Sequence, residues 1–223
     1  MNEPVTSQQH SSIKNPAILV SGILALAAGV AVWLLLAAPP APQPAAVVET
    51  NSATLLPQLK TLQPFSLKDQ HGRSFDNQAL LGQWTFLSFG YTHCPDICPT
   101  TLAMLKNMSD RLQSPERLAA HQIAFVSVDP ERDTQQRLAE YMKYFDPSFL
   151  GVTGNDDALK RLTRPLGIIY AKVPTEKSAM GYVMDHSASI ILIDPQGRYH
   201  ALFSPPHDPG IMARDFMRIT KNN

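Results

Sequence analysis

The chain has 223 residues, 44% hydrophobic and 17% charged, with 19 Lys+Arg against 19 Asp+Glu. That length suits one domain plus an attachment, and the lack of net charge excludes a nucleic-acid binder working through basic charge. Only two cysteines are present, which excludes a disulfide-stapled mini-scaffold and a four-cysteine zinc site, so any sulfur chemistry rests on Cys94 and Cys98.

In chain order, residues 17–38 (AILVSGILALAAGVAVWLLLAA) carry no charge. At a helical rise of about 1.5 Å per residue they reach roughly 33 Å, enough for a hydrocarbon core of about 30 Å. The run is longer than the apolar region of a cleaved secretory signal, about 7 to 15 residues, so an uncleaved transmembrane anchor is predicted. Lys14 precedes it and the first charge after it is Glu49. The positive-inside rule then places residues 1–16 in the cytoplasm as a short terminus and the rest of the chain in an oxidising outer space. Residues 39–63, rich in Pro and Ala, read as a semi-extended tether.

The folded domain is predicted over residues 64–223. Phe65–Leu67 and Arg73–Phe75 flank a turn at Gly72 and read as a hairpin. Trp84–Tyr91 (WTFLSFGY) and Ile123–Val128 (IAFVSV) are apolar runs of strand length, as expected for strands covered on both faces. Leu102, Leu105, Met108 and Leu112 mark one helix face, Leu138, Tyr141, Met142 and Phe145 a second, and Leu159, Leu162 and Leu166 a third. Ile168–Val173 and Ser189–Asp194 read as strands, Arg198–Phe203 as a return strand across Pro195-Gln-Gly197, and Asp208–Thr220 as a last amphipathic helix. Strands alternating with helices, closed by a hairpin and a helix, make a mixed α/β sheet of thioredoxin-like order.

The chemistry concentrates in Phe89–Thr101 (FGYTHCPDICPTT), where a buried strand gives way to a helix. Pro99 suits the first helical position, which predicts Cys98 as the N-cap with its thiolate favoured by the positive helix end. Cys94, four residues earlier, would bring its sulfur to the same side. Three readings are open: a static disulfide, which so short a loop makes a poor stabiliser; dithiol redox chemistry, although three residues rather than two intervene; and metal ligation by two soft thiolates, which needs a third donor. Among the histidines, His93 adjoins Cys94, but neighbouring side chains point apart. His71, His121, His200 and His207 read as turn or solvated residues. His186 stands just before a strand that a thioredoxin-like order brings beside the cysteine turn. Asp96 and Asp185 are candidates to orient the imidazole or present an acidic rim, and the stretch Asp129–Asp133 is read as capping the helix from Thr134.

With these residues in view, the chain resembles the Sco/SenC family of membrane-tethered cytochrome c oxidase assembly proteins over about Pro64 to Thr220. The resemblance is carried by Thr92–Pro99 (THCPDICP), Ser127–Thr134 (SVDPERDT) and Asp185-His186-Ser187. It implies a thioredoxin-like fold, one copper held by Cys94, Cys98 and His186, and delivery of that copper to the binuclear centre of oxidase subunit II, with another copper chaperone or a thiol reductase as further partners. The donor chemistry agrees: two thiolates and an imidazole make a trigonal set for Cu(I), and a tetragonal Cu(II) state could complete itself with water or a nearby oxygen. Zn²⁺ is the rival, less favoured because no general base or substrate pocket accompanies the trio. A Cys94–Cys98 disulfide would remove both anionic donors, coupling copper loading to dithiol state. A metallochaperone rather than an enzyme is expected. Two alternatives are a thiol-disulfide reductase of the oxidase copper site, with Cys94 and Cys98 catalytic, and an extracytoplasmic redox or copper sensor. Residues 1–16 hold no Arg-rich leader, so the expected location is a bacterial inner membrane with the domain in the periplasm.

Overall fold

A computed structural model describes residues 16–36, 48–113, 120–176, 178 and 181–221, and the chain divides into two units, 1–47 and 48–223. The described part of the first unit is one helix, α1 (Pro16–Leu36), 21 residues without a charge. Counted over the described residues, no helix is long and apolar enough to cross a membrane; the uncharged run itself extends to Ala38. The expected terminus at residues 1–15 and the first part of the tether, 39–47, lie outside the described residues.

The second unit is built on strands β1 (Ala53–Thr61), β2 (Ser66–Asp69), β3 (Ser74–Asp76), β4 (Trp84–Gly90), β5 (His121–Ser127), β6 (Leu150–Thr153), β7 (Tyr170–Pro174), β8 (Tyr182–His186), β9 (Ile190–Ile193) and β10 (Arg198–Phe203). Eight of them form one sheet in the order β1-β10-β9-β4-β5-β6-β2-β3, while β7 and β8 pair as a separate antiparallel hairpin. The centre, β4 with β5 and β6, is parallel, and β9, β10, β1 and the β2–β3 hairpin pair antiparallel around it. This is a mixed, thioredoxin-like α/β sheet.

Every residue of β4 is buried, as a strand with neighbours on both sides and cover on both faces requires. Its helices are α2 (Ile97–Leu112), α3 (Gln135–Phe145), α4 (Asp156–Thr163) and α5 (Pro209–Lys221). α2 packs on α5 and α3, α3 on β6, and α4 on β2. Local chemistry starts these helices. Thr134 accepts the Arg137 amide at 3.2 Å and caps α3, while Asn155 accepts the Ala158 amide at 2.9 Å ahead of Asp156 and Asp157 in α4. The ring of Phe86 meets Phe216 of α5 at 5.0 Å and Phe203 of β10 at 6.0 Å, locking the last helix to the sheet.

Two expectations change. The folded domain starts before residue 64, because β1 pairs with β10 at the sheet edge. Its register shifts between Leu55 and Lys60, around Pro57, whose missing N–H an edge irregularity tolerates. The strand is mostly exposed, so it lacks the alternation that reveals strands in sequence. Its start is fixed by the buried Asp215 carboxylate of α5, which accepts the amides of Asn51 (2.9 Å), Ser52 (2.7 Å) and Ala53 (3.1 Å). Second, His200 is not solvated: it is buried with its ring 5.0 Å from that of Trp84. His207 is tied through Nε2 to the Ala188 carbonyl at 2.9 Å.

Candidate metal centre

The site forms where β4 ends. Gly90 closes the strand, and a Cβ there would lie 2.6 Å from the Cys98 sulfur and 2.8 Å from Phe125 Cε2, so the sulfur occupies space that only glycine leaves. The chain then turns through Tyr91–Pro95 into α2. The helix begins at Ile97 with Asp96 at the cap, whose side chain makes no capping bond. Cys98 is therefore inside the first turn and is not the N-cap the sequence predicted. Pro99 sits one residue deeper still, which a helix tolerates because its first four N–H groups have no intrahelical partner in any case.

This shift exchanges the roles expected of the two sulfurs. Cys94 Sγ accepts the Cys98 amide at 3.4 Å, so the positive helix end acts on Cys94. Hydrogen bonding from Cys98, with help from His186 and the Asp96 and Cys98 amides, outweighs partial burial and pulls the Cys94 thiol down to about 4. The Cys98 thiol is pushed up, first because it donates to Cys94 and then by burial. The reduced pair is thus a half-exposed thiolate beside a buried thiol.

His186, the last residue of β8, completes the group. Its Nε2 lies 3.4 Å from Cys98 Sγ, and one donor atom from each of Cys94, Cys98 and His186 falls within 4.8 Å of the others. Nδ1 stands 3.1 Å from the Ser187 carbonyl. A carbonyl only accepts, so Nδ1 carries a proton, and Nε2 is the nitrogen left to face the sulfurs, a donor while it is protonated and a metal ligand once it gives that proton up. Burial alone would lower the His186 pKa; the bonds to Cys94 and Ser187 reverse this and raise it. The ring also stands edge-on to Tyr91, centroids 6.1 Å apart. Donors bound at about 2.0–2.3 Å in a trigonal plane are roughly 3.5–4 Å from one another, so these three side chains fit one soft ion with little movement.

An open cleft of about 510 Å³ leads to this group, lined among others by Tyr91, Cys94, Ile97, Met184 and His186. Asp96 and Asp185 are exposed on its rim. The imidazole is oriented by the Ser187 carbonyl, so the orienting role considered for these aspartates is not theirs. His93 turns away, its Nδ1 3.2 Å from Thr92 Oγ1 and 3.6 Å from the Asp133 carboxylate.

The Asp129–Asp133 stretch does more than precede a capped helix. Buried Asp133 accepts the Thr92 amide (2.9 Å), the Thr92 hydroxyl (2.7 Å) and the Ser127 hydroxyl (2.6 Å), pinning the start of the cysteine turn to the end of β5. Buried Asp129 pairs with Arg132 and accepts the Tyr182 hydroxyl at 2.9 Å. Sequence reasoning missed this network. Its available signal was two aspartates bracketing an arginine directly after a buried strand.

The fold and the group at its strand end define a thioredoxin-like domain with a dithiol and an imidazole converging on one cleft. A family model described as SCO1/SenC matches residues 54–221, and the chain belongs to that family. It is 38% identical to an SCO2-like protein of Rickettsia prowazekii, over 71% of this chain and 75% of that one. Among solved structures, Arabidopsis thaliana ScoI with copper bound matches at 35% identity and a TM-score of 0.67, covering 71% of this chain and 98% of that one. Bradyrhizobium japonicum ScoI with copper bound matches at 35% identity and a TM-score of 0.62, with the same coverages.

Proposed function

We propose that this protein is a copper chaperone of cytochrome c oxidase assembly: it holds one copper through Cys94, Cys98 and His186 and passes it by ligand exchange to the copper centre of oxidase subunit II. The observation that carries this reading is the convergence of two sulfurs and one imidazole nitrogen within 4.8 Å, a soft trigonal donor set suited to Cu(I). The copper-bound relatives support it. Copper is cargo here, and the chain's part is to supply two sulfurs, one of them with its thiol pKa pulled down, and an imidazole nitrogen facing them. The uncharged run 17–38 supports anchoring in a bacterial inner membrane, and Lys14 before it and Glu49 after it support a domain on the periplasmic side. Purified full-length protein in detergent should bind one Cu(I) per chain, and Cys94→Ala, Cys98→Ala and His186→Ala should each lose tight binding. Undiminished binding by His186→Ala would overturn the reading.

One observation favours a second activity on the same pair, the thiolate of Cys94 beside the buried thiol of Cys98. Cys94 attacks a disulfide, forming a mixed disulfide and releasing one thiolate. Cys98, giving up its proton, then displaces the second and closes the Cys94–Cys98 bond, so the target gains two electrons and an external thiol reductase must restore the dithiol. His186→Ala should retain this activity while losing copper.

A further inference from the structure

We infer that Arg132 is a positioning residue that holds the His186 imidazole against the sulfur pair through two aromatic rings. This deepens the copper reading above and rests on it for its consequence, though not for its geometry. Arg132 is a charged side chain only 5% exposed, ion-paired through Nε to Asp129, itself 1% exposed. Its guanidinium lies over the Tyr182 ring at 3.7 Å and over the Tyr91 ring at 5.4 Å, and Nη1 donates to the Tyr182 carbonyl at 3.3 Å. Nη2 is buried with no hydrogen-bond partner among the described residues, which leaves the aromatic faces as the counterpart of that side of the cation.

Both rings lead to His186. Tyr182 opens β8, the strand that ends in His186, and the Lys172 ammonium also lies over its ring, 4.2 Å from the centroid. Tyr91 stands edge-on to the imidazole itself, at the far end of the same strand. The β7–β8 hairpin is outside the main sheet, so no sheet ladder fixes its pose. At its base it is held by Ser187 N–H to the Ile169 carbonyl at 2.9 Å and by Tyr170 to Asp156 at 2.7 Å. Those bonds act as a pivot, and the Arg132 stack sets the angle of the strand about it. A planar guanidinium can serve two rings, an ion pair and a carbonyl together; a lysine ammonium at the same place cannot.

The test uses the full chain in detergent, with Arg132→Met, Arg132→Lys and Tyr182→Ala. Tyr182→Ala leaves the Arg132–Asp129 pair whole, so the proposal stays testable if Arg132→Met does not fold. Without copper, exchange of the β8 amides should speed at least tenfold in Arg132→Met and Tyr182→Ala while β4 and β5 are unchanged, with Arg132→Lys recovering little. Cu(I) affinity, measured by competition with a chromophoric chelator, should fall about tenfold, the scale of one desolvated cation–π contact. In a His186→Ala background the same changes should cost nothing further, because Arg132 acts only through that ring. Unchanged β8 exchange, or an equal affinity loss with and without His186, overturns the inference. Failure of the wild type to bind Cu(I) overturns the copper reading instead, and β8 exchange still decides the role of Arg132.

Discussion

Replacing Gly90 with alanine tests whether the Cys98 sulfur lies where the structure places it. The new methyl carbon would stand 2.6 Å from that sulfur, against 3.4 Å for an ordinary contact, so the two must separate by about 0.8 Å (3.4 − 2.6). The ring of Phe125 at 2.8 Å and the burial of Cys98 leave little room to yield. Overpacking of this kind costs about 1–3 kcal/mol, and a shift of 0.8 Å exceeds the roughly 0.5 Å within which a ligand set keeps its geometry. Stability is read by urea unfolding of the full chain through Trp84, buried in β4, in a Trp33→Phe background. Cu(I) affinity is read by chelator competition. Gly90→Ala should lose both stability and at least tenfold in affinity, and adding Cys98→Ala should return part of the stability by removing one side of the clash. Wild-type stability and affinity in Gly90→Ala would show that the sulfur is elsewhere.

Other consequences follow from the same geometry. Alkylation of Cys94 by iodoacetamide should stay near its full rate from neutral pH downward and fall to half at about pH 4, while Cys98 stays unreactive; a midpoint near the ordinary thiol value would contradict the assigned thiolate. Asp133→Ala leaves the Thr92 amide and two hydroxyls without their buried acceptor and should cost about 3 kcal/mol in urea unfolding, with faster amide exchange in the cysteine turn. Burial would raise the Asp215 pKa, but the amides of Ser52, Asn51 and Ala53 and the Ser52 hydroxyl hold it below its ordinary value. Its contribution is therefore full above the unfolded carboxylate range and is lost as pH falls through the lower folded value. Asp215→Asn should be less stable than wild type at neutral pH, with the gap narrowing only in acid. A gap that stays constant down to strongly acid pH would refute that assignment.

Much of the fold is legible because its signals are local. The apolar runs of β4 and β5 and the helix faces at Leu102–Leu112 and Leu138–Phe145 appear where the sequence places them. β1 is not legible, because an exposed edge strand interrupted by Pro57 has neither alternation nor an apolar run. Cys94, Cys98 and His186 could be singled out from donor chemistry and element order, and the structure brings them together. The division of labour between the sulfurs could not. It depends on the helix starting at Ile97, two residues before Pro99, a boundary shift that sequence pattern does not resolve. Arg132 was hidden for a different reason. A charged residue in a polar loop reads as solvated, and only the folded chain shows two tyrosines, from β8 and from the turn after β4, closing over it.

X-ray absorption at the copper edge of the Cu(I)-loaded full chain addresses the ligand set most directly. Two sulfur neighbours at about 2.2–2.3 Å and one nitrogen at about 2.0 Å are expected, with the nitrogen lost in His186→Ala and one sulfur lost in either cysteine variant. A first shell without sulfur, or one unchanged when His186 is replaced, would contradict that ligand set.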